Sequence, residues 1–275
     1  MADKELQNFA SEIRIATLEC LGAFGSGHIG GSMSIADTLA VLYGGALRHD
    51  ATNPAWEQRD RLVMSKGHAG PALYSALTLR GFFPREMLST LNQGGTSLPS
   101  HCDRTKTLGV DMTTGSLGQG MSAAIGLALG TRLNGSDSFT FLVLGDGECD
   151  EGQVWEGAIF AYHHKLANLI TFVDCNKQQL DGYTKDVLDT GDMAEKFASF
   201  GWHTVTVNGH DVDAVKAAID AAKAETTLPS AIILDTVKGY GCTFAEGKLG
   251  NHSMSCGKDD VDAAIAALRA GMEVA

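Results

Sequence analysis

From Phe139 onward, short unbroken apolar runs alternate with segments of helical period, and that alternation leaves few folds open. FTFLVL (Phe139–Leu144) precedes a stretch in which Trp155, Ile159, Tyr162 and Leu166 recur at steps of three or four. LITFVD (Leu169–Asp174) leads through a turn-rich loop and a short helical segment to WHTVTV (Trp202–Val207). An alanine-rich helix pattern over Asp213–Ala224 then precedes PSAIILDTV. Strands that are apolar throughout are buried on both faces, and helices between them make the sheet parallel. The first half reads as more helical, with RLVMS (Arg61–Ser65) the one clear strand and glycine clusters between helices. The expected fold is α/β: a single doubly wound, mostly parallel sheet with helices on both faces, forming one domain over residues 1–275.

A chain of 275 residues buries a substantial core, and 44% apolar with 20% charged content describes a globular protein rather than a disordered one. The net charge of -12 argues against nucleic acid and against anionic membrane surfaces as partners. MADKELQNFASEIR is charged from its start and has no signal-peptide core, and no apolar run reaches the length of a membrane span. Six scattered cysteines without a C-x-x-C pair read as reduced thiols, so a cytoplasmic location is expected.

The stretch LGDGECDEG (Leu144–Gly152) follows a strand with glycines suited to a phosphate turn, yet it carries four carboxylates and no lysine or arginine. Asn176 emerges after LITFVD, at the corresponding end of the next strand. Carboxylate, amide oxygen and backbone carbonyl are hard ligands suited to Mg²⁺ or Ca²⁺. A phosphate beside Asp146 would be repelled by about 4 kcal/mol at ~4 Å and an effective dielectric of ~20, and a divalent cation between them reverses that sign. Taken singly, GDGE is also a tight turn and Asn176 also a cap. The pairing of the two at matched strand ends points to a metal that holds a diphosphate.

GDG followed by about thirty residues and Asn resembles the thiamine-diphosphate fingerprint of transketolases and related enzymes. Other blocks agree in order: SGHIGGS (Ser26–Ser32), RDRLVMSKGHAGPALY (Arg59–Tyr74), HCDRTKTLGVDMTTGSLGQG (His101–Gly120), VDCNKQQLDG (Val173–Gly182) and KGYGCTFAEGKLGNH (Lys238–His252). The resemblance implies a diphosphate-binding domain, with the pyrimidine-binding and C-terminal domains absent from this chain. It implies a cation held by the side chains of Asp146 and Asn176 and the carbonyl of Gln178. Gly147 and Glu148 would adjoin the diphosphate, His68 and His252 would contact the cofactor, and Gly115, Ser116 and Leu117 would support its aminopyrimidine.

The same resemblance implies ketol transfer: a two-carbon unit passes from a ketose or ketose phosphate to an aldose through a cofactor-bound enamine. His28, His101 and His252 match histidines that line the substrate channel, with His101 directed to the donor's C1 hydroxyl. Neutral imidazoles suit such proton transfers. Glu151 and Glu156 match carboxylates at the contact between subunits. The activating glutamate belongs to the second domain, so a separate C-terminal transketolase subunit is expected, with two copies of each chain. Alternatives are a ketol transferase chain for an unusual branched or modified sugar, a subunit of a 2-oxo-acid dehydrogenase, and a non-catalytic thiamine-diphosphate-binding protein. Two departures from the family pattern are Ile29, where proline is common, and SMSC after His252, where glycine is common.

Overall fold

Four central apolar runs and the RLVM segment all form strands in the computed structural model, which describes residues 4–274. The first half contains α1 (Lys4–Phe24), β1 (Ser26–Gly27), α2 (Ile29–Ser34), α3 (Ala36–Val41), β2 (Arg61–Met64), α4 (Gly70–Leu79) and α5 (Gln119–Leu133). Next come β3 (Thr140–Gly145), α6 (Gly152–His163), β4 (Leu169–Cys175), β5 (Gln178–Gln179), β6 (Gly182–Tyr183) and α7 (Thr184–Val187). The chain continues through α8 (Met193–Ser199), β7 (His203–Asn208), α9 (Val212–Ala224), β8 (Ser230–Asp235), β9 (Met254–Ser255) and α10 (Lys258–Val274).

The main sheet has the order β2-β3-β4-β8-β7, and every neighbouring pair is parallel. Period two splits its side chains between two cores. Phe141, Val143, Ile170, Phe172, Ile232 and Leu234 join the core that includes Ile13 of α1, Leu39 of α3 and Ile219 of α9. Leu142, Leu144, Val173, Ala231 and Ile233 face the other core, with Met121 of α5, Val154 of α6 and Phe197 of α8. The doubly wound expectation therefore holds. All six cysteines are free thiols. Among the described residues, no helix is long and apolar enough to cross a membrane.

On α6 the large apolar residues do not form the inner face: Ile159 is 54% exposed and Tyr162 46%. Val154, Gly157, Ala158 and Ala161 are buried instead. A Cβ on Gly157 would lie 2.5 Å from Met121 Cγ, so α5 and α6 approach too closely for bulky side chains between them.

Candidate active site

β3 and β4 run side by side with Gly145 opposite Asp174, so Asp146 and Asn176 leave neighbouring strands at one level. The Asp146 carboxylate accepts from the backbone N–H groups of Gly147 at 2.8 Å and Lys177 at 2.6 Å. Asn176 Oδ1 accepts from Gln178 N at 3.2 Å, and the Gln178 carbonyl accepts from Lys238 Nζ at 3.1 Å. Gly147 sits where a Cβ would be 2.7 Å from Gln179 Cβ, which keeps the backbone open on this side. Glu148 also lines the cavity, but its carboxylate turns inward to Ser65 Oγ, Gly118 N at 2.8 Å and Gly145 N at 3.0 Å. It ties the ends of three segments together.

Four histidines from distant segments converge at this level. β1 pairs antiparallel with β9, matching Gly27 to Met254, and so draws His28 and His252 together. Their rings lie 5.3 Å apart. His28 is also 5.1 Å from His101 and 5.7 Å from His68, and His68 is 4.8 Å from His252. The Met254–Ser255 departure thus forms half of the ribbon that joins two site histidines, while Ile29 is fully buried at the start of α2.

Burial lowers the basicity of all four rings, so they are neutral near pH 7. For His252, burial and the Lys238 charge bring the value to about 4. A neutral imidazole can accept a hydroxyl proton, which an imidazolium cannot.

Two lysines also enter the cavity, and sequence reasoning missed both. Lys66 is 1% exposed and Lys238 2%. Lys66 pairs with Asp174, whose oxygens also accept from Ser34 Oγ at 2.7 Å, Asn176 Nδ2 at 3.0 Å and Thr236 Oγ1. Burial opposes ionisation of Asp174, but Lys66 and these bonds outweigh it and hold the carboxyl below its usual range. Lys238 is lowered to about 8, by burial first and then by Lys66. The acidic loop itself carries no lysine or arginine, and Lys66 and Lys238 bring positive charge to the cavity from other strand ends. Gln179 and Leu180, also missed, complete the lining. Both lysines stand inside the motifs SKGH and KGYG, and that was the available signal.

The cavity measures about 230 Å³ and is lined by His68, His101, Gly115, Leu117, Asp146, Gly147, Asn176, Gln178 and His252 among others. Ser116 is exposed and outside the lining, and Glu151 and Glu156 are exposed near and on α6. Among the described residues no cluster of three His, Cys, Asp or Glu side chains forms a metal site. The oxygen set here is of a different kind: one carboxylate, one amide and one carbonyl, a donor chemistry that fits Mg²⁺. Burial and Asp174 push Asp146 up to about 7, the state of a carboxylate that a nearby cation would ionise.

The wall fits a close-lying cofactor as well. Gly115 has φ +130 and no room for a Cβ, which would be 2.9 Å from His101. The buried Nδ1 of His28 has no hydrogen-bond partner among the described residues.

Residues 5–274 match the family described as the transketolase, thiamine diphosphate binding domain. The chain is 50% identical over 264 residues to the 6-deoxy-6-sulfo-D-fructose transketolase subunit SqwG of Clostridium sp. (strain MSTE9), covering 96% of both. It is 35% identical over 267 residues to one subunit of the apulose-4-phosphate transketolase of Actinobacillus succinogenes, again covering 96% of both. A crystal structure of the R525L mutant of Pichia stipitis transketolase superposes with a TM-score of 0.90 at 35% identity. That match covers 97% of this chain but 40% of the solved one. Ordered motifs, doubly wound sheet and convergent strand-end pocket have the same explanation: the chain belongs to the transketolase family, as its thiamine diphosphate binding domain.

Proposed function

We propose that this chain is the diphosphate-binding subunit of a two-subunit transketolase that moves a two-carbon ketol unit from a ketose to an aldose. The observation that carries the reading is the convergence of the neutral imidazoles of His68, His101 and His252 with the Asp146–Asn176–Gln178 oxygens in one cavity, with the His28 ring packed against all three. Thiamine diphosphate, when bound, supplies the electron sink for cleavage beside the carbonyl. Asp146, Asn176 and the Gln178 carbonyl would hold Mg²⁺, or Ca²⁺, against its diphosphate. His68 would hydrogen-bond the diphosphate, and Lys66 and Lys238 would offset its charge. His101 would orient the donor's C1 hydroxyl, while His28 and His252 take and return hydroxyl protons. Relatives of matching length are named as subunits, which supports a second chain that supplies the activating glutamate. Two copies of each chain, meeting near Glu151 and Glu156, make the simplest assembly.

The 50% identity to a sulfofructose transketolase subunit favours a second reading of the substrate: a 6-sulfo ketose in place of a ketose phosphate. One assay addresses both. Ketol transfer to a phosphorylated aldose is measured with thiamine diphosphate and Mg²⁺, on the chain alone and with the product of the neighbouring reading frame. The donors are fructose 6-phosphate and 6-deoxy-6-sulfofructose. Activity only in the mixture is expected, and donor preference decides the sugar. Activity of the chain alone would end the two-subunit reading.

A further inference from the structure

A polar cluster of two buried and two half-buried side chains lies outside the cavity lining and takes no part in the chemistry above. Arg14 of α1, Asp37 of α3, His210 between β7 and α9, and Tyr240 after β8 meet there. The His210 side chain is 9% exposed. Its Nδ1 lies 2.8 Å from Asp37 Oδ2, and its Nε2 lies 2.9 Å from the backbone nitrogen of Val237. A backbone N–H can only donate, so Nε2 accepts and the ring proton sits on Nδ1, donated to Asp37. Arg14 grips both Asp37 oxygens, one at 3.0 Å, and its Nε donates to the Tyr240 carbonyl at 3.1 Å. The His210 and Tyr240 rings stack with centroids 3.6 Å apart and planes 13° apart.

Val237 and Tyr240 are therefore both fixed to this cluster, and Lys238 stands between them. Its backbone is tied on the other side: its carbonyl accepts from Asn251 Nδ2 at 3.1 Å and from Gly247 N at 2.8 Å. Gly239 N donates to Gly30 O at 3.0 Å, next to the His28 segment. The Lys238 ammonium is thereby aimed into the cavity, 3.1 Å from the Gln178 carbonyl and 3.4 Å from His252 Nδ1. A buried ammonium on a flexible four-carbon stem gains by swinging toward water unless its backbone is fixed.

We propose that His210 is a positioning residue: by accepting from the Val237 N–H and stacking on Tyr240, it holds the turn that keeps the Lys238 ammonium at the Gln178 carbonyl and beside His252. Only the benefit to a bound diphosphate rests on the function proposed above. The geometry itself does not.

The test uses the unliganded chain, so failure to bind thiamine diphosphate would sink the functional reading and leave this one standing. NMR follows the titration of the His252 ring, which senses the Lys238 charge. Lys238→Met should raise the His252 midpoint by about one pH unit, the scale of a removed neighbouring charge. His210→Ala should raise it by a similar amount, and adding His210→Ala to Lys238→Met should change nothing further. His210→Gln, whose amide oxygen can accept from Val237, should restore part of the shift. An unchanged midpoint in His210→Ala, or shifts that add in the double variant, would overturn the proposal. Should His210→Ala fail to fold, Tyr240→Ala removes the stack alone: a raised midpoint supports the proposal and an unmoved one overturns it.

Discussion

Asp174 accepts from Lys66, Ser34, Asn176 and Thr236 at once, and both members of its ion pair are almost fully buried. Breaking such a pair from one side leaves an uncompensated charge in a low dielectric, at a cost of about 3–5 kcal/mol. Lys66→Met is expected to lose that much in chemical denaturation, and Lys66→Met with Asp174→Asn to recover a large part of it. Equal losses in the single and double variants would show that the pair adds nothing specific. His101 is expected to behave differently, since it makes no hydrogen bond to any metal-site residue and its basicity is lowered by burial. His101→Ala should leave cofactor binding in place while ketol transfer with the partner drops by about 10²–10⁴-fold, the range for a lost general acid–base group. Loss of binding instead would assign it to the cofactor. Asp146, Asn176 and the four histidines were legible in the sequence because each carries its chemistry within a contiguous motif. Lys66 and Lys238 were not, because a lysine is ordinarily solvated and only the tertiary fold reveals these two as buried.

At the scale of elements, α5 shows how one helix can hold two glycines for opposite reasons. A Cβ on Gly120 would meet Ser65 Oγ at 2.2 Å and Ser65 Cα at 2.9 Å, so no rotamer change relieves the clash. Ser65 also bonds Glu148, which organises the end of β3. Gly126 faces open space on the same helix. Gly120→Ala should therefore destabilise by about 1–3 kcal/mol, as overpacking does. Gly126→Ala should stabilise by about 0.5–1 kcal/mol through helix propensity. Denaturation midpoints of the two variants check both signs, and a shared sign would mean that α5 approaches β2 less closely than these distances require. β3, β4 and β7 were legible to within one residue at each end and β8 to within two, because they follow apolar runs that period two divides between two cores. The inner face of α6 was not legible. Sequence periodicity weighs large apolar residues, whereas the close α5–α6 crossing selects Gly157, Ala158 and Ala161.

For the whole molecule, gathering desolvated imidazoles at one end of the sheet makes stability depend on pH, and the sign follows from proton counts. His252 titrates at about 4 in the folded chain against an ordinary 6.5. Between those values the unfolded chain binds a proton that the native state does not, so stability falls as pH drops from 6.5 toward 4 and then levels off. His28, His68 and His101 act in the same direction, since burial lowers each of them. Asp146 acts the opposite way: raised from 3.8 to about 7, it favours the native state at low pH, and that contribution is lost as pH rises through 7. The profile of the intact chain mixes these signs, so the informative quantity is a difference. His252→Gln keeps a polar side chain and cannot be protonated. Its Tm relative to the unmodified chain should be flat above pH 7 and rise steadily from pH 6.5 to pH 4. A relative Tm that falls over that interval would mean that the native state holds His252 protonated. A protonated ring there could not accept the substrate's proton, and the proton-transfer role proposed for His252 would have to pass to His28.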